Sequence, residues 1–191
     1  MTPIKDKDVI ISIDIALNKS GVAVLSNLLE VEETSLITVT QSWDYYRKIA
    51  FLYDSYTDLF SRVLTASPSS HILVLEGRLK AGWRASSMAS IEGARVSAYL
   101  AYHHICEKHE KKPEVFVYDP NVVKYFIAKK RSANKDEMYE KALSRFSFLK
   151  GLEYQEDEFD AIYLGLYHLL GEKNEHSRRD KKARNVQKRL G

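Results

Sequence analysis

The stretch DVIISIDIALNKSGVAVLSN, residues 8–27, decides the fold reading. Its first eight residues, DVIISIDI, are mostly β-branched and apolar, which predicts a buried strand. Asn18-Lys19-Ser20-Gly21 carries turn chemistry, and GVAVLSN (21–27) predicts a second strand running back. TSLITVT (34–40) predicts a third. Short connections between three strands make an antiparallel meander. One acid interrupts the first apolar run: Asp14, between Ile13 and Ile15.

Downstream the period changes. Trp43, Tyr46, Ile49, Ala50, Tyr53, Tyr56 and Phe60 recur at helical spacing, with Ser42 as the expected N-cap and SPSS (67–70) as the stop. Tyr46, Tyr53 and Tyr56 are expected on the core face. HILVLE (71–76) predicts a strand buried on both faces. A long helix is expected from about Ser87 to Glu110, then a further buried strand at EVFVYD (114–119). Asp119-Pro120 has the form of a helix start, cap then proline. That helix should fade at Lys129-Lys130-Arg131. Asn134 and Glu137 have capping-box spacing for a helix to about Leu149, and a last helix runs from near Gln155 to Gly171. The predicted order is βββ-α-β-α-β-α-α-α. This gives an α/β fold with a five-stranded mixed sheet, three antiparallel strands then two parallel, flanked by helices.

The chain has 191 residues, 45% hydrophobic and 29% charged, as expected of a globular domain and not of a disordered chain or a rod. The single cysteine, Cys106, excludes an intramolecular disulfide and a cysteine-rich zinc module; it reads as a small buried hydrophobe. The first ten residues hold no leader-like apolar stretch, and no apolar run approaches the ~20 residues that span a bilayer. A soluble, cytoplasmic protein is therefore expected. The net charge of +3 is uneven. Residues 172–191 hold eight basic and three acidic residues, a net of +5, so the rest carries −2. The division is thus a domain at 1–171 and a basic tail at 172–191, suited to a polyanion or to solvent.

Four carboxylates stand out by position. Asp14 lies in the first strand, Glu76 at the end of HILVLE, and Asp157 and Asp160 open the last helix three residues apart, on one face. Ligand sites in α/β sheets gather beyond the carboxyl ends of parallel strands, the address of Asp14 and Glu76. Singly, each acid has an ordinary structural reading: Asp157, for example, complements a helix dipole. Clustered, they repel unless cations neutralise them, and hard divalent cations prefer oxygen ligands. Two such ions can activate a water and stabilise the leaving oxygen of a phosphodiester.

SIDIALNKSGVAVL resembles the opening strand–turn–strand of RNase H-like nucleases, and ILVLEG places Glu76 as that superfamily's glutamate. DEFDAIYLGLYH resembles the closing helix of RuvC-type Holliday-junction resolvases, with its D-x-x-D-A motif. EGARVSAYLAY and RSANKDEMYEKAL resemble the family's arginine-bearing helix and its lysine-bearing segment. The resemblance covers roughly residues 9–170. It implies Asp14, Glu76, Asp157 and Asp160 as catalytic metal ligands for two Mg²⁺, with Mn²⁺ able to substitute and Asp14 bridging. It also implies Lys135 as a basic residue near the scissile phosphate.

Arg78, Lys80, Arg84 and Arg95, and the group Lys129, Lys130 and Arg131, are where phosphates could dock. The family's aromatic three residues past the glutamate is Leu79 here, with Trp83 as the nearby ring. The resemblance further implies a homodimer on four-way DNA in recombination and repair, without membrane or organic cofactor. It implies paired symmetric nicks leaving 5′-phosphate and 3′-hydroxyl ends. Ser90, Ala94, Ser97, Ala98 and Ala101 form a small-residue stripe open to two readings, packing on the chain's own sheet or contact across the twofold axis. Compact phage or viral members suggest a broader variant acting on flaps and forks. The alternatives are a nuclease of structured RNA such as an rRNA precursor, and a junction-binding protein without activity.

Overall fold

The computed structural model describes residues 8–67, 70–77, 85–151 and 153–171. Strands β1 (Val9–Asp14), β2 (Lys19–Ser26) and β3 (Val31–Thr38) form the meander, followed by helix α1 (Tyr45–Ala66). Strand β4 (His71–Glu76), helix α2 (Ala85–Lys108) and strand β5 (Glu114–Tyr118) come next. Three helices follow: α3 (Pro120–Ala128), α4 (Lys135–Arg145) and α5 (Glu156–Leu166). The expected element order therefore holds. The sheet order is β3-β2-β1-β4-β5, with β1 antiparallel to β2 and parallel to β4, and β4 parallel to β5. This is the five-stranded mixed sheet expected.

The alternation in β1 explains the layers. Val9, Ile11 and Ile13 pack with Leu52, Tyr56, Phe60, Ala98 and Tyr102 of α1 and α2. Ile10 faces the other way, with Val74, against α3, α4 and α5. Side chains alternate across a strand, so a central strand covered on both faces reads as a continuous apolar run. Each large aliphatic side chain removed from water there contributes ~1.5–3 kcal/mol before entropy is charged against it.

Most local signals hold. Asp119 caps α3 through Asn121 N–H, with Pro120 at the first helical position. Asn134 and Glu137 form a reciprocal capping box. The last helix starts after Gln155 and runs into a π turn at Tyr167–Gly171. α4 ends at Arg145, and a 3₁₀ turn at Ser147–Leu149 completes the span expected as helix. Cys106 is buried in the α1–α2 core.

Three expectations are corrected, and one reading left open is settled for the chain's own packing. Asp44, not Ser42, caps α1, its carboxylate accepting from Arg47 N–H at 3.0 Å. Tyr46 is 82% exposed while Tyr56 is fully buried; Tyr45, one position earlier, is the ring turned to α2, its hydroxyl donating to the Ala89 carbonyl at 3.4 Å, which leaves Tyr46 facing outward. β5 is a sheet edge and not a doubly buried strand: Val117 is 53% exposed, because nothing among the described residues pairs beyond it. The small-residue stripe of α2 packs inside the chain. Ala94, Ser97, Ala98 and Ala101 are buried, and at Gly93 a Cβ would fall 2.0 Å from the Tyr45 hydroxyl of α1. Small residues there let two helices of one protomer approach.

Candidate active site

Asp14 is the last residue of β1, where the strand emerges from the sheet's core. Glu76 is the last residue of the neighbouring parallel strand β4, in register through Ile13 and Leu75. Parallel pairing thus sets the two carboxylates side by side. Asp160, in the second turn of α5, completes the group. A cleft of about 190 Å³ is lined by Asp14, Glu76, Asn121, Lys124, Asp160 and Tyr163, with Met138 and Leu164 among its apolar walls.

The charges in this cleft are strained. The Asp14 carboxyl is pushed up from 3.8 to about 8, first by burial, then by the charges of Glu76 and Asp160. Glu76 is also raised by burial; its hydrogen bond with Asp14, Arg95 and Lys124 pull in the opposite sense. Asp160 is raised by burial, offset by Lys135 and Lys124. Burial and the neighbouring carboxylates therefore favour a proton on Asp14 near neutral pH. Asp157 lies further out. It pairs with Lys19 at 2.8 Å, yet its charge still reaches Asp14.

The rim cations sort by function. Lys135, expected near the scissile phosphate, contacts Glu156 and stands 3.5 Å from Asp160. Arg95 is structural: its guanidinium donates to the Glu76 and Gly77 carbonyls, both at 3.1 Å, and pairs with Glu92 at 2.7 Å. It holds the end of β4 in place and is not free to dock a phosphate. Lys129, Lys130 and Arg131 form an exposed group between α3 and α4. Lys129 closes α3 in the left-handed conformation, and Lys130 pairs with Glu137 at 2.8 Å. Arg78, Leu79, Lys80, Trp83, Arg84 and the tail at 172–191 lie outside the described residues.

Two cleft residues escaped the sequence reading. Lys124 is the only charge in the apolar helix PNVVKYFIA, a signal that could have marked it. Tyr163 stands three residues after Asp160, hence on the same helix face.

The donor set fits a hard divalent cation in chemistry: all oxygen, three carboxylates in one cleft, each raised by burial where positive charge is wanted. As the side chains lie, no three acidic, histidine or cysteine groups among the described residues stand close enough to enclose an ion. Asp157 and Asp160 are engaged by lysines instead.

Between about pH 4 and pH 8 the folded chain keeps a proton on Asp14 that the unfolded chain has released. Stability without divalent cation should therefore fall as pH rises through that window, by at most ~1.4 kcal/mol per pH unit for one proton. Thermal unfolding in a chelator at pH 5 and pH 8, for the native chain and Asp14→Asn, checks this. The variant should show a distinctly smaller fall; an equal fall would mean that Asp14 is not the group held protonated.

The fold is that of the RuvC-type Holliday-junction resolvases, a five-stranded mixed sheet flanked by helices; in this chain acids stand at the ends of β1 and β4 and on α5. The chain is similar in structure to Thermus thermophilus RuvC in complex with a Holliday junction substrate. The TM-score is 0.63 at 14% identity, over 84% of this chain and 91% of that one. T. thermophilus RuvC alone gives a TM-score of 0.58 at 14% identity, over 85% and 96%. The yeast mitochondrial Holliday junction resolvase Ydc2 gives 0.52 at 13%, over 86% and 78%. At these identities the likeness is one of fold. In sequence, no family model and no curated protein matches the chain. No helix among the described residues is long and apolar enough to cross a membrane.

Proposed function

We propose that this chain is a metal-dependent endonuclease that resolves four-way DNA junctions by paired, symmetric nicks. The observation that carries the reading is the convergence of Asp14, Glu76 and Asp160 on one cleft of a resolvase fold. Asp14, Glu76 and Asp160, with Asp157 released from Lys19, would hold two Mg²⁺. Bound there, the ions would supply a nucleophilic hydroxide at neutral pH and charge stabilisation for the leaving oxygen. Asp14 would give up its proton on loading. Lys124 and Lys135 would face the phosphate and offset its charge. Lys129, Lys130, Arg131 and the basic tail would add salt-sensitive, sequence-independent affinity.

Cleavage of a labelled immobile junction and a matched linear duplex, with Mg²⁺ and with EDTA, tests the reading. Paired nicks in the junction alone, lost in EDTA, are expected. Intact junctions that remain tightly bound would overturn it in favour of a binding protein. Cleavage of structured RNA instead would overturn it in favour of an RNA nuclease.

Two symmetric cuts need two sites, which a twofold dimer supplies. With the small-residue stripe buried, the face that supports a second copy is the apolar outer side of α2: Val96, Tyr99 and Leu100, the last 52% exposed. Leu100→Glu should convert a dimer to a folded monomer in sedimentation equilibrium, with single nicks replacing paired ones. A variant that stays dimeric would place the contact elsewhere.

A further inference from the structure

Beside the acidic cleft lies a second, larger hollow of about 440 Å³, between the first turns of α4 and α5. Asp160 and Tyr163 line both, forming a shared wall. Aromatic rings make up much of the hollow. Tyr139 and Tyr154 each meet Phe159 edge-on, with centroids at 4.9 and 5.4 Å, and Tyr163 lies 5.9 Å from Phe159. Tyr163 itself is 3% exposed, and its buried hydroxyl has no hydrogen-bond partner among the described residues. Buried hydroxyls are normally satisfied, so this one points to a ligand group.

The carboxylates of the hollow divide in two. Glu156 and Asp160, beside the acidic cleft, are engaged by Lys135. Asp136 and Glu153 line the hollow with no hydrogen-bond or ion-pair partner among the described residues. A free anion is disfavoured against those two charges. A simple cation is less needed than it would be in a bare acidic cage, because Lys135 is already present. What suits the lining is a flat, apolar-faced group with hydrogen-bond donors on one edge, joined to a phosphate on the Lys135 side.

We propose that this hollow receives one unpaired nucleobase next to the phosphate at the acidic cleft, and guanine in preference. The proposal rests on the nuclease reading above. Stacking on tyrosine and phenylalanine faces is open to every base. Carboxylates only accept, so they favour an edge with adjacent donors; guanine offers N1–H and a 2-amino group. Thymine sets its single N–H between two carbonyls, which a carboxylate repels.

The test uses the full chain in EDTA and a single-stranded pentanucleotide carrying one fluorescent guanine analogue that keeps both donors. Stacking should quench the probe. Guanosine 5′-monophosphate should displace it at least about fivefold more effectively than inosine 5′-monophosphate, which lacks the 2-amino group, and thymidine 5′-monophosphate least. Tyr139→Ala, at a half-exposed ring, should weaken probe binding at least about fivefold. Glu153→Gln should erase most of the guanosine–inosine difference. Equal displacement by all three nucleotides, or undiminished binding in Tyr139→Ala, would overturn the proposal. Because the readout needs no cleavage, the two readings fail separately. Selective guanine binding with intact junctions would sink the nuclease and keep the pocket, whereas junction cleavage without selectivity would sink the pocket alone.

Discussion

Asp14→Asn is expected to lower junction cleavage by roughly a thousandfold or more, ~4 kcal/mol of transition-state stabilisation. The reason is position. Asp14 lies within charge range of Glu76, Asp160 and Asp157, so its loss removes the centre of the oxygen-donor set. The same substitution should leave the cation-free protein at least as stable at pH 8 as the native chain. The native carboxyl is held near pKa 8 by burial and like charge, and asparagine has no charge to bury. A combined assay of cleavage and thermal unfolding separates the alternatives. Lost activity with unchanged or raised stability assigns Asp14 to the chemistry. Lost activity with a large fall in stability would mean that it is a structural residue. Added Mg²⁺ should raise the melting temperature of the native chain and not of the variant.

Gly21→Ala should be among the most destabilising single substitutions in the chain. Gly21 pairs with Asp14 across β1 and β2. A Cβ there would fall 1.9 Å from the Asp157 carbonyl oxygen and 2.3 Å from its carbon. The obstacle is helix backbone, which cannot swing aside as a side chain could. Overpacking of this kind costs ~1–3 kcal/mol, and a rigid neighbour argues for the upper end. For a chain of this size that is a fall of about 10 °C in melting temperature. Relief requires the start of α5 to move away from β1, carrying Asp157 and Asp160 with it. A displacement of about 1 Å can cost a hundredfold in rate, so cleavage should fall even under conditions where the variant is fully folded. Native-like stability together with native-like cleavage would show that α5 does not seat on Gly21.

These two residues also show how far the sequence reaches. Asp14 is legible because a charge inside an apolar, β-branched run conflicts with local expectation. The same holds for the meander, the capped starts of α3 and α4, and the D-x-x-D helix, all of which rest on signals spanning a few residues. Gly21 is visible only as part of a turn. Its contact with Asp157 joins residues 136 positions apart, and nothing in the local pattern states it.

The corrections have the same origin. Amphipathic spacing placed Tyr46 and Tyr56 on one face, but in the fold Tyr45 meets α2, Tyr46 faces outward and Tyr56 lies in the core. The composition of β5 matched that of β4, and only sheet order made one an edge. The small residues of α2 were compatible with two partners, and packing against α1 selected one. Local sequence determined the elements, their order and the identity of the acids, because propensity, capping and hydrophobic period act over one or two turns of chain. Tertiary structure decided which acids meet in one cleft, that Lys19 holds Asp157, that Lys124 enters the cleft, and that an aromatic hollow with an unsatisfied Tyr163 hydroxyl adjoins it. Those are contacts between distant segments, whose energies depend on burial and on distances of a few ångströms that no short stretch of sequence encodes.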